Sequence, residues 1–96
     1  MRQHHEERLT SSVTRLAAEF LERHRGTSLI TVSGAQIDNS GKSVTIFITV
    51  YPAEAEKQAL TETRFLRSEL RDFLDARLRG NSLTHVDFAL DQRPLV

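Results

Sequence analysis

The apolar positions at the start of this chain repeat at the spacing of a helix. Six of them lie at offsets 0, 4, 7, 8, 11 and 12, so they form one continuous stripe. This stripe predicts a first helix over about Gln3 to Arg25. The cations at 23–25 followed by Gly26 predict its end, because cations favour a helix C-terminus and glycine readily adopts positive φ. The stripe consists of Leu9, Val13, Leu16, Ala17, Phe20 and Leu21.

From Thr27 onward, apolar residues alternate with polar ones, which is the period of a β-strand. A strand is predicted over Leu29 to Ile37. The alternation changes phase at Ser33-Gly34, where a β-bulge is expected because glycine inside a strand often marks one. Ile30 and Val32 are expected on one face of this strand, and Ala35 and Ile37 on the other.

Four turn-favouring residues, 38–41, separate this strand from a second one over Ser43 to Tyr51. In the second strand, aliphatic residues alternate strictly with threonine and aromatic residues. Two strands joined by a short glycine-containing loop predict an antiparallel hairpin. One strand face carries Val44, Ile46, Ile48 and Val50, and the other carries Thr45, Phe47, Thr49 and Tyr51.

A helical segment over about Glu54 to Arg79 follows Pro52 and ends at Gly80-Asn81. One straight helix from Glu54 to Leu78 would be about 37 Å long at about 1.5 Å per residue, which overhangs a domain of this size. We therefore predict a bend near Thr63-Arg64, which would turn Phe65 inward. The apolar stripe of the segment contains Ala55, Ala59, Leu66, Leu70, Phe73, Leu74 and Leu78.

A last strand is predicted over about Leu83 to Leu90. The order helix, strand, strand, helical segment, strand predicts an α+β fold of two layers, with helices packed on one face of a three-stranded sheet. We expect a single domain over residues 1–96, with frayed tails at 1–5 and 92–96. In the last strand, Val86, Phe88 and Leu90 lie on one face, and His85, Asp87 and Asp91 on the opposite one.

Composition narrows the class of function. The 96 residues include 13 basic and 13 acidic ones, and this neutrality counts against a tight autonomous nucleic-acid binder, which is usually basic. The absence of cysteine excludes disulfides and thiolate chemistry. No apolar run reaches the roughly 18 residues of a membrane span, and the N-terminus lacks the apolar core of a signal peptide. A soluble cytoplasmic protein is therefore expected.

Several motifs resemble the ribosome-binding factor A family, whose fold is of the type II KH-like class. The order of elements is similar, and the hairpin aligns without gaps. Phe65-Leu66-Arg67-Ser68 resembles the aromatic–aliphatic–arginine motif that opens the family's last helix. The resemblance covers about Glu7 to Asp91, and its other segments are Leu29 to Val32, Ala35 to Ile37, Val44 to Thr49 and Val86 to Asp91.

The chain departs from the family pattern at three places. Ser40 stands where members usually have an aspartate in the hairpin turn. No proline precedes the last strand, where Ser82 is the nearest position. The family bends its paired helices at a small-x-Gly motif, and the matching residues here are Glu62-Thr63-Arg64. The predicted bend therefore has to form without glycine.

The resemblance implies a non-catalytic bacterial factor that binds the small ribosomal subunit and its 16S rRNA during rRNA processing. RNA would be held across the junction of the paired helices, as in KH domains. The resemblance implies no cofactor, no small-molecule substrate and no membrane partner, and we expect a monomer. The alternative is a protein–protein interaction module on the same scaffold, which zero net charge favours.

Positively charged side chains are the candidate RNA contacts. Arg64, Arg67 and Arg71 recur at helical spacing and can hold phosphates through paired N–H groups. The alternative is a solvated face on which they pair with Glu62, Glu69, Asp72 and Asp75. The further candidates are Lys42 in the hairpin turn and Arg8 and Arg15 on the first helix, for which an exposed, solvated position is the alternative.

Catalytic and metal chemistry find little support in the sequence. It contains no nucleophile elbow, P-loop or glycine-rich dinucleotide turn. Residues 4–7, His-His-Glu-Glu, are metal-capable but adjacent, so they point in different directions. His24 fits a helix C-terminal cap and His85 an exposed strand position. Phe47 and Tyr51 either form a base-stacking platform, pack under a helix or cover the second face of the sheet.

Overall fold

The computed structural model describes residues 2–24, 29–78 and 83–92, with backbone alone for residues 2–7. Its order of elements is the predicted one, and the long helical segment is divided into two helices. The predicted tails at 1–5 and 92–96 lie mostly outside the described side chains, and Gly26 and Gly80-Asn81, the predicted helix stops, lie outside the described residues. The elements are α1 Arg2–Arg23, β1 Leu29–Ile37, β2 Ser43–Tyr51, a 3₁₀ turn Ala53–Ala55, α2 Glu56–Phe65, α3 Arg67–Arg77 and β3 His85–Leu90.

The three strands form one mixed sheet in the order β1-β2-β3. β1 and β2 are antiparallel, as the short turn between them requires. β2 and β3 are parallel, and the helices α2 and α3 form the crossover that a parallel pair needs. β1 and β3 are therefore the two edges of the sheet.

The core lies between one face of this sheet and the three helices. α1 packs mainly on β1, whereas α2 and α3 pack on β3. The apolar stripes predicted for the helices supply their buried residues, and β2 contributes its aliphatic face. The buried residues are Leu9, Val13, Leu16, Ala17, Phe20, Leu21, Val44, Ile46, Ile48, Ala59, Thr63, Leu70, Leu74, Leu83, Val86 and Phe88.

The predicted bulge in β1 is present and has a larger effect than expected. Val32 lies opposite Ile48 and Gly34 lies opposite Phe47, which leaves Ser33 as the extra residue. One extra residue reverses the alternation of faces, so the apolar residues after the bulge return to the core side. The prediction that they would face away was therefore wrong. Ile30, Val32, Ala35 and Ile37 all pack against the core.

The hairpin turn is organised by two side chains. Ser40 Oγ donates to Asp38 Oδ1 at 2.7 Å and accepts the backbone N–H of Lys42 at 3.1 Å. Gly41 has a φ of 75°, a conformation that favours glycine. The hydrogen bond from Ser40, together with backbone N–H groups of the turn, holds the pKa of Asp38 below its usual value.

The break between α2 and α3 lies at Leu66, later than the predicted position at Thr63-Arg64. Leu66 has φ −95° and ψ 5°, a conformation open to residues with a side chain. Its N–H donates to the carbonyl of Thr63 at 2.9 Å, which tightens the last turn of α2. Its own carbonyl accepts the N–H of Leu70 at 2.9 Å and so begins α3. The bend therefore needs no glycine.

His24 connects the end of α1 to α3. Its ring stacks on Phe20 with centroids 4.2 Å apart, and its Nδ1 lies 2.8 Å from the carbonyl oxygen of Phe20, as expected of a C-terminal cap. Its Nε2 lies 3.6 Å from a carboxylate oxygen of Glu69. Beside it, Phe20 meets Phe73 edge to face at 5.5 Å, and the guanidinium of Arg77 lies 3.7 Å from the Phe73 ring centroid. These contacts fix α3 against α1.

Candidate nucleic-acid interface

Arg64, near the C-terminus of α2, reaches the free edge of β3. Its Nε donates to Asp87 Oδ1 at 3.2 Å, and its Nη2 donates to the carbonyl oxygen of Phe88 at 3.3 Å. The N–H of Phe88 in turn donates to Asp87 Oδ1 at 2.8 Å. Both backbone polar groups of Phe88 are thus bonded to side chains, which covers part of an edge that is otherwise open to another strand.

Arg67, the first residue of α3, is held by the same carboxylate. Its Nε donates to the carbonyl oxygen of Arg64 at 3.0 Å, which caps the end of α2. Its Nη1 lies 3.6 Å from Asp87 Oδ1. The side chains of Arg64 and Arg67 are 46% and 49% exposed, so both guanidiniums keep N–H groups open to solvent. Arg64, Arg67 and Asp87 form one cluster, called here the junction cluster.

The acidic residues predicted to pair with the arginines make fewer ion pairs with them than expected. Arg71 Nη2 lies 3.5 Å from Asp72 Oδ1, so one of the expected pairs is present. Glu62 instead accepts a hydrogen bond from Gln58 at 3.1 Å, and Glu69 lies beside His24. The main partner of the arginines is Asp87, 23 residues from Arg64. A pair so far apart in the sequence cannot be recognised from helical spacing. It forms because the parallel crossover places α2 over β3.

The prediction that Phe65 would turn inward is wrong, because the residue is 84% exposed. It lies two residues from the buried Thr63, and two residues correspond to about 200° around a helix. The break comes one residue after Phe65, too late to change its direction. Its ring therefore stands at the α2–α3 junction, between Arg64 and Arg67 in the sequence.

The remaining candidate cations lie on other elements. Lys42 is exposed in the hairpin turn, and its carbonyl oxygen accepts the N–H of Thr84 at 2.8 Å, which anchors the turn to the start of β3. Arg8 and Arg15 are exposed on α1, which packs over the opposite edge of the sheet. Within the described residues no hydrogen bond or ion pair joins these three side chains to the junction cluster.

The face of the sheet that the helices leave open carries the aromatic side chains of β2. Tyr51 is 73% exposed and pairs across the strands with Leu29, which is 56% exposed. Phe47 is half-buried beside a groove of about 570 Å³ between the bulge of β1 and the end of β3. Of the three predicted positions for Phe47 and Tyr51, the structure excludes packing under a helix.

Two negative findings concern only the part of the chain that the structure describes. No group of three or more histidine, aspartate or glutamate side chains in it is placed to hold a metal ion, and the side chains of His4-His5-Glu6-Glu7 lie outside it. No helix among these residues is long and apolar enough to cross a membrane. His85 is exposed on β3, as predicted.

No protein-family model matches the sequence, and no curated protein matches it at a significant level. Solved structures do match. The crystal structure of ribosome-binding factor A from Thermus thermophilus superposes with a TM-score of 0.79 at 20% identity, over 88% of this chain and 93% of that one. The chain has the fold of ribosome-binding factor A.

Two further structures agree. The solution NMR structure of a Thermotoga maritima protein, described as a candidate ribosome-binding factor A, gives a TM-score of 0.77 at 17% identity, covering 94% of this chain and 91% of that one. A homology model of Thermus thermophilus ribosome-binding factor A, fitted into a cryo-electron microscopy map of a 30S complex, gives 0.65 at 19% identity, covering 83% and 88%. The predicted α+β architecture with paired helices is confirmed, and it is that of ribosome-binding factor A.

Proposed function

We propose that this chain is a member of the ribosome-binding factor A family and binds the small ribosomal subunit in a bacterial cytoplasm. In this proposal it is a non-catalytic factor that contacts 16S rRNA during rRNA processing. Two observations support it: a shared fold over most of both chains, and the fitting of the Thermus thermophilus protein into a map of a 30S complex. A fold alone hosts several functions, so the choice of surface has to come from the site.

The junction cluster carries the proposal. Arg64 and Arg67 are held by Asp87 at 3.2 and 3.6 Å, so their side chains are ordered before any ligand arrives. Arginine holds phosphate bidentately through its planar guanidinium, and ordering in advance lowers the entropic cost of binding. The side chains are about half exposed, and the N–H groups that they do not use within the fold are the donors that an RNA backbone would use.

Neutral overall charge agrees with a small contact of this kind. The dependence of RNA affinity on salt reflects the number of phosphates that cations neutralise. Two guanidiniums would give a slope of about −1.4 to −1.8 in a plot of log K against log salt concentration. A broad basic face with six or more phosphate contacts would give a far steeper slope.

Sedimentation with purified small subunits tests the proposal. The protein is layered with subunits on sucrose gradients at several salt concentrations, and the bound fraction is measured at each. We expect comigration at low salt and the shallow slope given above. A protein that stays at the top of the gradient at every salt concentration contradicts ribosome binding. A slope near −5 contradicts a contact limited to the junction cluster.

A protein-binding module is the second candidate function. The observation in its favour is the exposed pair of Leu29 and Tyr51 on the open face of the sheet, of which Leu29 lies on the edge strand β1. Exposed apolar residues next to a free strand edge suit a partner that adds a strand. Under this alternative, Tyr51→Ser would abolish association with the partner, and charge reversal at the junction cluster would leave it unchanged.

A further inference from the structure

Phe65 differs from the four other phenylalanines of the chain. Phe20 and Phe88 are buried in the core, and Phe47 and Phe73 are partly buried. Phe65 alone among the five is exposed, with 84% of the residue's surface accessible to solvent. A single exposed apolar residue is ordinary on a protein surface, so exposure by itself indicates no function. Its position and neighbours are what single it out.

The fold does not need an aromatic ring at this position. The core side of α2 is closed by Ala59 and Thr63, which are 0% and 1% exposed. Leu66 and Leu70 continue the same apolar contact into α3. Phe65 points away from all four, and a polar residue there would leave the core intact. The ring therefore adds apolar surface at the junction without adding to the packing.

Two ordered arginines flank this ring along the chain. Arg64 precedes it and is bonded to Asp87 and Phe88, and Arg67 follows two residues later and folds back onto the carbonyl of Arg64. An exposed aromatic ring together with guanidinium planes is the combination that stacks unpaired bases while holding the neighbouring phosphates. A protein partner would instead be expected at a larger apolar patch.

We propose that Phe65 stacks on an unpaired base, so the ligand of the junction is single-stranded RNA rather than a duplex. This inference rests on the proposed function and assigns the class of RNA to its site. In duplex RNA the faces of the bases are covered by their neighbours, and the ring would have nothing to stack on. The arginines alone would not make this distinction, because both forms of RNA present phosphates.

The first test compares variants of Phe65 in binding to small subunits. Phe65→Tyr keeps a ring and should bind within about twofold of the wild type. Phe65→Leu keeps an apolar side chain but no ring, and should bind about tenfold more weakly, because the stacking contact with the base is lost. Ala76→Leu, at an exposed position near the end of α3 that lies away from the junction, is the control and should bind like the wild type.

Equal binding by the wild type and Phe65→Leu overturns the stacking proposal but leaves ribosome binding intact. Failure of the wild type itself to comigrate overturns the proposed function, and a second test then decides the role of Phe65 independently. The chain contains no tryptophan, so Phe65→Trp introduces a single indole. Its fluorescence is titrated with an oligouridine of about ten nucleotides, and separately with the same strand annealed to oligoadenosine.

Stacking predicts that the single strand quenches the indole of Phe65→Trp and that the duplex does not. Ala76→Trp, with its indole near the end of α3 that lies away from the junction, serves as the control and should be quenched by neither RNA. Equal quenching by both RNAs, or quenching of Phe65→Trp by neither, overturns the proposal. Thermal unfolding curves of each variant show whether the fold is kept.

Discussion

Exposed arginines on two surfaces of this molecule are held in different ways. At the α2–α3 junction, Arg64 and Arg67 share Asp87 and bond to backbone carbonyls. On α1, Arg8 and Arg15 are exposed, and the described residues show no ion pair to them. A free arginine side chain has about 2 kcal/mol of rotamer entropy to lose on binding, and the junction arginines have lost part of it in folding. Two surfaces that each carry two exposed arginines are therefore not equally ready to bind an anion.

The junction cluster also stabilises the sheet edge, a role for which the described residues give Arg8 and Arg15 on α1 no contacts. Arg64 and Asp87 occupy the carbonyl and N–H of Phe88 on the edge strand β3. The same side chains thus stabilise the sheet edge and order the proposed binding surface. A change at Asp87 should affect both properties, whereas a change at Arg8 or Arg15 should affect neither strongly.

Charge reversal gives the largest difference between the two surfaces. Arg64→Glu with Arg67→Glu should weaken binding to small subunits about 100-fold, because two charge-assisted contacts worth about 1.5 kcal/mol each are lost. Arg8→Glu with Arg15→Glu makes the same change in net charge and should weaken binding less than about threefold. Sedimentation at fixed low salt measures both.

Equal losses of binding in the two double variants would contradict the proposed difference between the two surfaces, since they would show that only total charge matters. Circular dichroism on both proteins provides the control for folding. Because the junction double variant also removes contacts to β3, its melting temperature should fall further than that of the α1 variant.

Asp87→Asn separates ordering from charge at the junction. The amide can still accept the N–H of Phe88, but it attracts the two guanidiniums only weakly. We expect the free energy of unfolding to fall by about 1 kcal/mol, which lowers the melting temperature by about 4–8 °C in a domain of this size. Binding to small subunits should weaken by a few fold, because Arg64 and Arg67 would then have to be ordered by the ligand.

Asp72→Asn is the matched control for that change. Asp72 is 74% exposed and pairs with Arg71 on the surface of α3, so its loss should change the stability by less than about 0.5 kcal/mol. Tighter binding by Asp87→Asn would mean that Asp87 blocks the arginines instead of ordering them. That result would reverse the role assigned to it here.

The hairpin turn gives the smallest effect, because its carboxylate is fully exposed. The pKa of Asp38 is lowered in the fold, so Asp38 stabilises the fold above the unfolded pKa of about 3.9, and this stabilisation is lost as pH falls through the folded pKa. Ser40→Ala removes the largest cause of the lowered pKa, so the pKa of Asp38 should rise towards its usual value. An NMR titration of the Asp38 carboxyl group measures this, and an unchanged pKa would contradict the role of Ser40.

The elements and the core were predictable because burial here follows simple periods. The strict alternation of Val44, Ile46 and Ile48 and the helical stripe of α1 each define a single buried face. The position of the bend was not predictable from glycine, because Leu66 breaks the helix in a conformation that needs none. The prediction that Phe65 would turn inward was wrong because it relied on this misplaced bend.

The candidate site was predictable only in part. Arg64 and Arg67 were found from their spacing and a motif, but their common partner Asp87 comes from a strand 23 positions further along. Local patterns detect pairs within one helix, whereas this cluster depends on how the crossover lies on the sheet. Asp87, which orders the two arginines, therefore joins the site only through the tertiary structure.

Local cleavage of rRNA by hydroxyl radicals is the most direct test of whether the α2–α3 junction contacts RNA. The chain has no cysteine, so a single cysteine can carry an iron chelate that generates hydroxyl radicals locally. Ser68→Cys places it on α3 beside Arg67, and Ser11→Cys places it between Arg8 and Arg15 on α1, both at exposed positions. With bound small subunits, we predict strong cleavage of the rRNA from position 68 and weak cleavage from position 11. Strong cleavage from position 11 with none from position 68 would contradict the account.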